Sequence, residues 1–303
     1  MATPNRAALI TKIHKVLKKH YKAHAPDLNR PVLEQFLYAC CLENAHVEPA
    51  EAAYSALKNG FFDWNEVRVS SIAELAETIH VLPDAVSAAT RLRRVLQSVF
   101  ESTYSFDLES FRKQNLGQAV AKLQKLNGST PFTVACVTQF SLGGHAIPVD
   151  RGTLDALFVV GLVNESNIAE SNVPGLDRAV PKTKGLEFGS LLHQLGADFV
   201  TNRYSTELHK ILLEMSPDAK NRLPKRQAKK PVAETEPVSD SKPASKKPPA
   251  ADQKRPAADK DRGSDKRKPA ETKKTAEPKK SSPPKAVSGA GKKAPVAGKR
   301  KPR

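Results

Sequence analysis

Residues 126–150 read LNGSTPFTVACVTQFSLGGHAIPVD. The fold is legible in how this stretch is punctuated. Asn127, Gly128, Ser129, Thr130 and Pro131 are residues that a tight turn prefers, because they tolerate unusual backbone angles or bond back onto the chain. The apolar run at 132–140 predicts a helix, which two glycines, Gly143 and Gly144, bring to an end. Asp150 then stands directly before Arg151 and an apolar series at Leu154, Leu157, Phe158 and Leu162. That series has helical spacing, and aspartate is a favoured first residue for such a helix.

The same period recurs on both sides. Leu9, Ile13, Val16, Leu17 and Tyr21 share one face, with Lys15, Lys18, Lys19 and Lys22 largely on the other. Pro31 and Pro49 each suit the first turn of a helix. Ser71 and Glu74 have the spacing of a capping box, and Pro83 precedes a long series at Val86, Ala89, Leu92, Leu96 and Val99. Further helices are expected at about 116–126 and within 184–223. Phe61, Phe62 and Trp64 are expected in the core. Strand-like alternation never lasts more than a few residues, so the expectation is an all-α chain of about ten helices.

Charge divides the chain of 303 residues in two. Residues 224–303 hold 25 of the 49 Lys and Arg but only 9 of the 32 Asp and Glu, a net of +16. The rest is almost neutral. The segment also takes 13 of the 23 prolines and no aromatic residue, so burial cannot offset its backbone entropy. It is expected to be a disordered polycation that displaces counterions from DNA; improved solubility is the plainer alternative. Lacking stacking residues, it is not suited to reading single-stranded bases.

Cys40, Cys41 and Cys136 all lie in apolar runs and offer neither a disulfide framework nor zinc spacing. No apolar stretch reaches the roughly 18 residues of a membrane span, and no signal-peptide core is evident. A soluble protein of a reducing compartment is expected, cytoplasmic and nucleoid-associated in a bacterium or nuclear in a eukaryote.

Residues 126–150 resemble the helix-hairpin-helix, loop and aspartate signature of the endonuclease III superfamily of DNA glycosylases, whose pattern is roughly L-P-G-V-G-x-x-T-A, an apolar helix, and a Gly/Pro loop ending in V-D. Two further stretches agree in order. FLYACCLENAHV at 36–47 is similar to the family's helix and duplex-probing turn, and FGSLLHQLGADF at 188–199 to its late helix. The resemblance spans about 7–223. It implies a two-lobed helical body over 1–223, with one lobe at about 28–140 and a second formed by 5–24 with 141–223. The tail at 224–303 follows.

What the resemblance implies for chemistry is specific. Asp150 would be catalytic, stabilising the sugar cation left as a base departs. The hairpin, through Asn127, Gly128, Ser129, Thr130 and Thr133, would grip a DNA phosphate. Glu43 and Asn44 would lie in the probing turn and His145 beside the loop, all as DNA contacts. The expected partner is double-stranded DNA, lesion-bearing or abasic, met by a monomer.

Departures from the family pattern are equally specific. Phe132 replaces the lysine that forms an imine in bifunctional members, so lyase chemistry is not expected. Ala39 replaces the acid of adenine-excising relatives, Glu43 replaces a glutamine, and Thr130 stands where a second glycine belongs. No cysteine follows Cys136, so no iron–sulfur cluster, cofactor or metal site is expected.

Two functions from different classes follow: a monofunctional N-glycosylase removing a damaged or mismatched base, or a catalytically inactive DNA-binding protein on the same scaffold, serving lesion recognition or compaction. Three positions also carry plainer readings, as an ordinary helix-helix turn at 127–131, an N-cap at Asp150 and a turn contact at His145.

Overall fold

The computed structural model describes residues 6–225. The cationic segment falls almost wholly outside them, so the expectation placed on it lies outside the described residues. Every regular element among them is helical, as expected: thirteen α-helices and two short 3₁₀ turns at Glu109–Lys113 and Pro217–Asn221.

Two apolar clusters hold the chain. The first is built by α2 (Val32–Leu42), α3 (Val47–Gly60), α4 (Trp64–Val69), α5 (Ile72–Thr78), α6 (Ala85–Thr103), α7 (Leu116–Lys125) and α8 (Pro131–Phe140). Helix α2 lies at its centre, with ten of eleven residues buried. That is why, apart from Glu34 and Gln35, its residues are apolar on every side rather than on one stripe. The second cluster joins α1 (Arg6–His20) to α9 (Arg151–Val160), α10 (Glu165–Ala169), α11 (Leu176–Ala179), α12 (Lys182–Asn202) and α13 (Thr206–Met215). Ile10, Ile13, Val16 and Leu17 of α1 are buried there, far along the chain from their partners.

Local chemistry fixes the helix ends. Asp63, Ser71, Asp84, Asn115, Thr130, Asp150 and Asn164 each accept an N–H from the first turn that follows, satisfying donors a helix cannot use itself. The third helix begins two residues before Pro49, because the extended backbone of His46 serves as its cap. The expected core position of Phe62 is corrected: it is 96% exposed. The turn between α3 and α4 points it outward, while half-buried Trp64 stacks on Tyr54.

Helices α9 and α12 cross in close contact through facing glycines. A methyl on Gly152 would run into the Gly196 carbonyl, and one on Gly196 into Thr153 and Asp150. This crossing brings the start of α9, the middle of α12, the end of α2 and the start of α8 to one place.

Candidate functional site

Asp150 lies at that meeting point. Its side chain has no solvent exposure, and each oxygen is occupied. One accepts the Thr153 amide at 2.8 Å, the N-cap bond of α9. The other accepts the Asn44 amide at 3.1 Å and lies 3.3 Å from His193 Nδ1, out of line for a good hydrogen bond. Burial pushes the Asp150 carboxyl up, but the His193 ring and the Thr153 bonds outweigh it and hold the group below the ordinary carboxylate value of 3.8.

Asn44, expected on a base edge, instead closes the inside of the molecule. It adopts a left-handed backbone (φ 62°), and its side-chain oxygen accepts the Gly152 amide at 3.0 Å. Its side chain thus helps cap α9, while its amide holds the capping carboxylate. Glu43 also turns inward. It pairs with Arg91 at 3.2 Å and accepts the Thr130 hydroxyl at 3.1 Å. Burial pushes its carboxyl up, against the pull of Arg91 and Thr130. Both residues also line the hollow beside α9 and are partly exposed there.

The hairpin is similarly committed. Thr130 and Thr133 form a reciprocal capping box, and Thr133 is fully buried, which corrects its expected DNA contact. The amide of Asn127 donates to Ser98 and that of Ser129 to Leu126; the Ser129 hydroxyl bonds Gln124. Thr130, with its hydroxyl on Glu43, is not free for phosphate. Gly128 sits at φ 92°, and a methyl there would come within 2.8 Å of Arg94 Cβ and 2.9 Å of the Arg91 carbonyl. The glycine seats the turn against α6 rather than opening it to a ligand. Gly128→Ala is therefore expected to lower the urea midpoint, by about 2–3 kcal/mol of stability, from positive-φ strain and overpacking together.

His145 contributes contacts within the fold: Nε2 lies 2.8 Å from the Asp177 carbonyl and 2.9 Å from that of Val180. His193 is the site residue the sequence did not single out, although it lies in the late helix already noticed. Its Nε2 faces the Ala45 carbonyl at 2.9 Å and so carries a hydrogen, while its ring stacks on Phe132 with centroids 5.5 Å apart. Phe132 is 2% exposed.

Two hollows flank this arrangement, and Asp150 lines neither. One, between α2, α8 and α12, is lined by Tyr38, Leu42, Phe132, Cys136, Phe140 and His193, and holds about 80 Å³, well under the roughly 300–1,000 Å³ of ordinary small-molecule sites. The other, about 270 Å³, is walled by Glu43, Asn44, Asp84, Arg151, Asp155 and Arg203. Burial pushes the thiols up, that of Cys41 to about 12, so all three cysteines stay protonated and inert. Among the described residues no group of three or more His, Cys, Asp or Glu could hold a metal ion, and no helix is long and apolar enough to cross a membrane.

No family model matches the chain, and no curated protein matches it. Among solved structures, a trapped endonuclease III–DNA covalent intermediate superposes with a TM-score of 0.52 at 15% identity, over 74% of this chain and 100% of that one. The fold is that of endonuclease III. A non-covalent endonuclease III–DNA complex gives a TM-score of 0.51 at 18% identity, over 73% of this chain and 99% of that one. In the present chain Asn44 and His193 lie against the aspartate that caps α9, and Phe132 stacks on His193.

Proposed function

We propose that this protein binds duplex DNA on an endonuclease III scaffold without excising a base. The observation that carries this reading is the complete enclosure of the Asp150 side chain by the start of α9, Asn44 and His193. A carboxylate stabilises a developing sugar cation only when that sugar can approach it, and here both oxygens are enclosed and engaged by the fold. Phe132 supplies no nucleophile in place of the family's lysine. Binding falls to the folded body together with the cationic segment at 224–303, whose excess charge favours any phosphodiester chain.

The test compares the full chain with one ending at residue 225 on an abasic-site duplex across a salt series. The reading expects both to bind at low salt, with a shallower dependence of log K on log salt for the shorter chain. Loss of all affinity on shortening would reject a DNA-binding body.

A monofunctional glycosylase is the second reading. What favours it is that Asp150 is held ionised, the form such chemistry requires. It also requires the His193–Phe132 pair or Asn44 to swing aside when DNA binds.

A further inference from the structure

We propose that the outer face of α6 carries a DNA-backbone site centred on Arg93 and Arg94, so that guanidinium groups supply a phosphate contact beside the hairpin. The inference rests on the DNA-binding reading and adds its location.

Four observations converge. Arg93 and Arg94 are exposed, and among the described residues neither has a carboxylate partner. By contrast Arg30, Arg91, Arg112 and Arg151 are paired with Glu51, Glu43, Glu109 and Asp155. In a body whose charges nearly cancel, two adjacent unpaired guanidinia are a local excess of fixed positive charge. They also line an open groove of about 330 Å³ together with Thr90, Gln97, Ser98 and Asn127. The Thr90 hydroxyl is bonded to the Val86 carbonyl and the Gln97 amide to Glu101, so among these the short polar groups nearest to free beside the arginines are Ser98 and Asn127.

The groove is joined to the hairpin itself. Gly128 rests on Arg94 Cβ, and the Asn127 amide donates to Ser98 at 3.1 Å. Finally, three of the hairpin's own amides, at Asn127, Ser129 and Thr130, are occupied within the chain, so the exposed guanidinium groups are the charged donors beside it. Glu101, at one end of the groove, accepts the Gln97 amide at 2.6 Å and is the one anion there. It limits the site to a backbone passing over Arg93 and Arg94. A guanidinium fork matches two phosphate oxygens, and its charge does not titrate in the working range.

The experiment uses the full chain and a fluorescent duplex in a salt series. Arg93→Ala with Arg94→Ala keeps the Cβ on which Gly128 rests, so the fold is retained. Removing two phosphate contacts is expected to reduce the slope of log K against log salt by about 2, with at least tenfold weaker binding at low salt. Lysines at both positions should restore most of the slope. Lys12→Ala with Lys15→Ala on α1 should leave it unchanged. An unchanged slope in the arginine variant, or an equal fall in both variants, overturns the site while leaving DNA binding intact. Failure of the wild type to bind overturns the DNA reading itself. A second arm places an iron–EDTA cleaving group on Thr90→Cys, where it alone is labelled because the three native thiols are buried. Cuts confined to one backbone segment support the site, and no cuts above the unlabelled background refute it.

Discussion

Gly196→Ala is expected to destabilise the protein by about 3–5 kcal/mol, at the upper end for adding one methyl group to a core. Gly196 is buried at the point where α12 crosses α9. A Cβ there would run into the Thr153 hydroxyl, come within 2.6 Å of the Thr153 amide nitrogen and lie 3.0 Å from an Asp150 oxygen. None of these neighbours is the end of a flexible side chain facing space. To make room the helices must separate, which opens the second apolar cluster and breaks the N-cap bond of α9 together. Urea unfolding of wild type and variant measures the loss. A change below about 1 kcal/mol would mean that the crossing is looser than its glycines indicate.

Asp150→Ala is expected to cost about 3 kcal/mol, combining the loss of a helix cap with two buried amides left without an acceptor. The cost should depend on pH. Asp150 titrates below its ordinary value in the folded protein. Its contribution is therefore fully present above that value and is lost as pH falls through 3.8 and then through the lower folded value. Glu43 acts in the opposite sense. Its carboxyl is raised above 4.5, so ionising it as pH rises through its folded value works against stability. The gap between wild type and Asp150→Ala should thus be wide at pH 7 and narrow toward pH 2. Denaturant midpoints at several pH values check this, and a gap that widens on acidification would contradict the assignment.

The sequence reveals the helical class because its signals are local. Thr130 before Pro131 and Asp150 before the apolar series at 154–162 start helices where the structure has them. Burial all round α2 shows as an unbroken apolar run at 36–42. The short helices α10 and α11 were missed because five and four residues hold no period to read. Phe62 was misplaced because an aromatic residue in a turn gives no clue to which side of the chain it faces.

At the site, the cap role of Asp150 was legible and its enclosure was not. The residues that close it, Asn44 and His193, come from segments 106 and 43 positions away and are brought there by the glycine crossing. Spacing along a chain does not report such meetings. The contacts that Thr133, Thr130 and Asn44 make within the fold, respectively in the capping box and with Glu43 and Gly152, were not legible for the same reason.

The central claim is that the enclosed carboxylate does structural work and no chemistry. Alkali-induced strand cleavage, assayed with the full-length wild type on duplexes each carrying one common base lesion or mismatch, tests it most directly. The account predicts that the protein shifts these duplexes in a gel yet yields no cleaved strand above the enzyme-free control. Lesion-dependent cleavage by wild type that disappears in Asp150→Asn would contradict it.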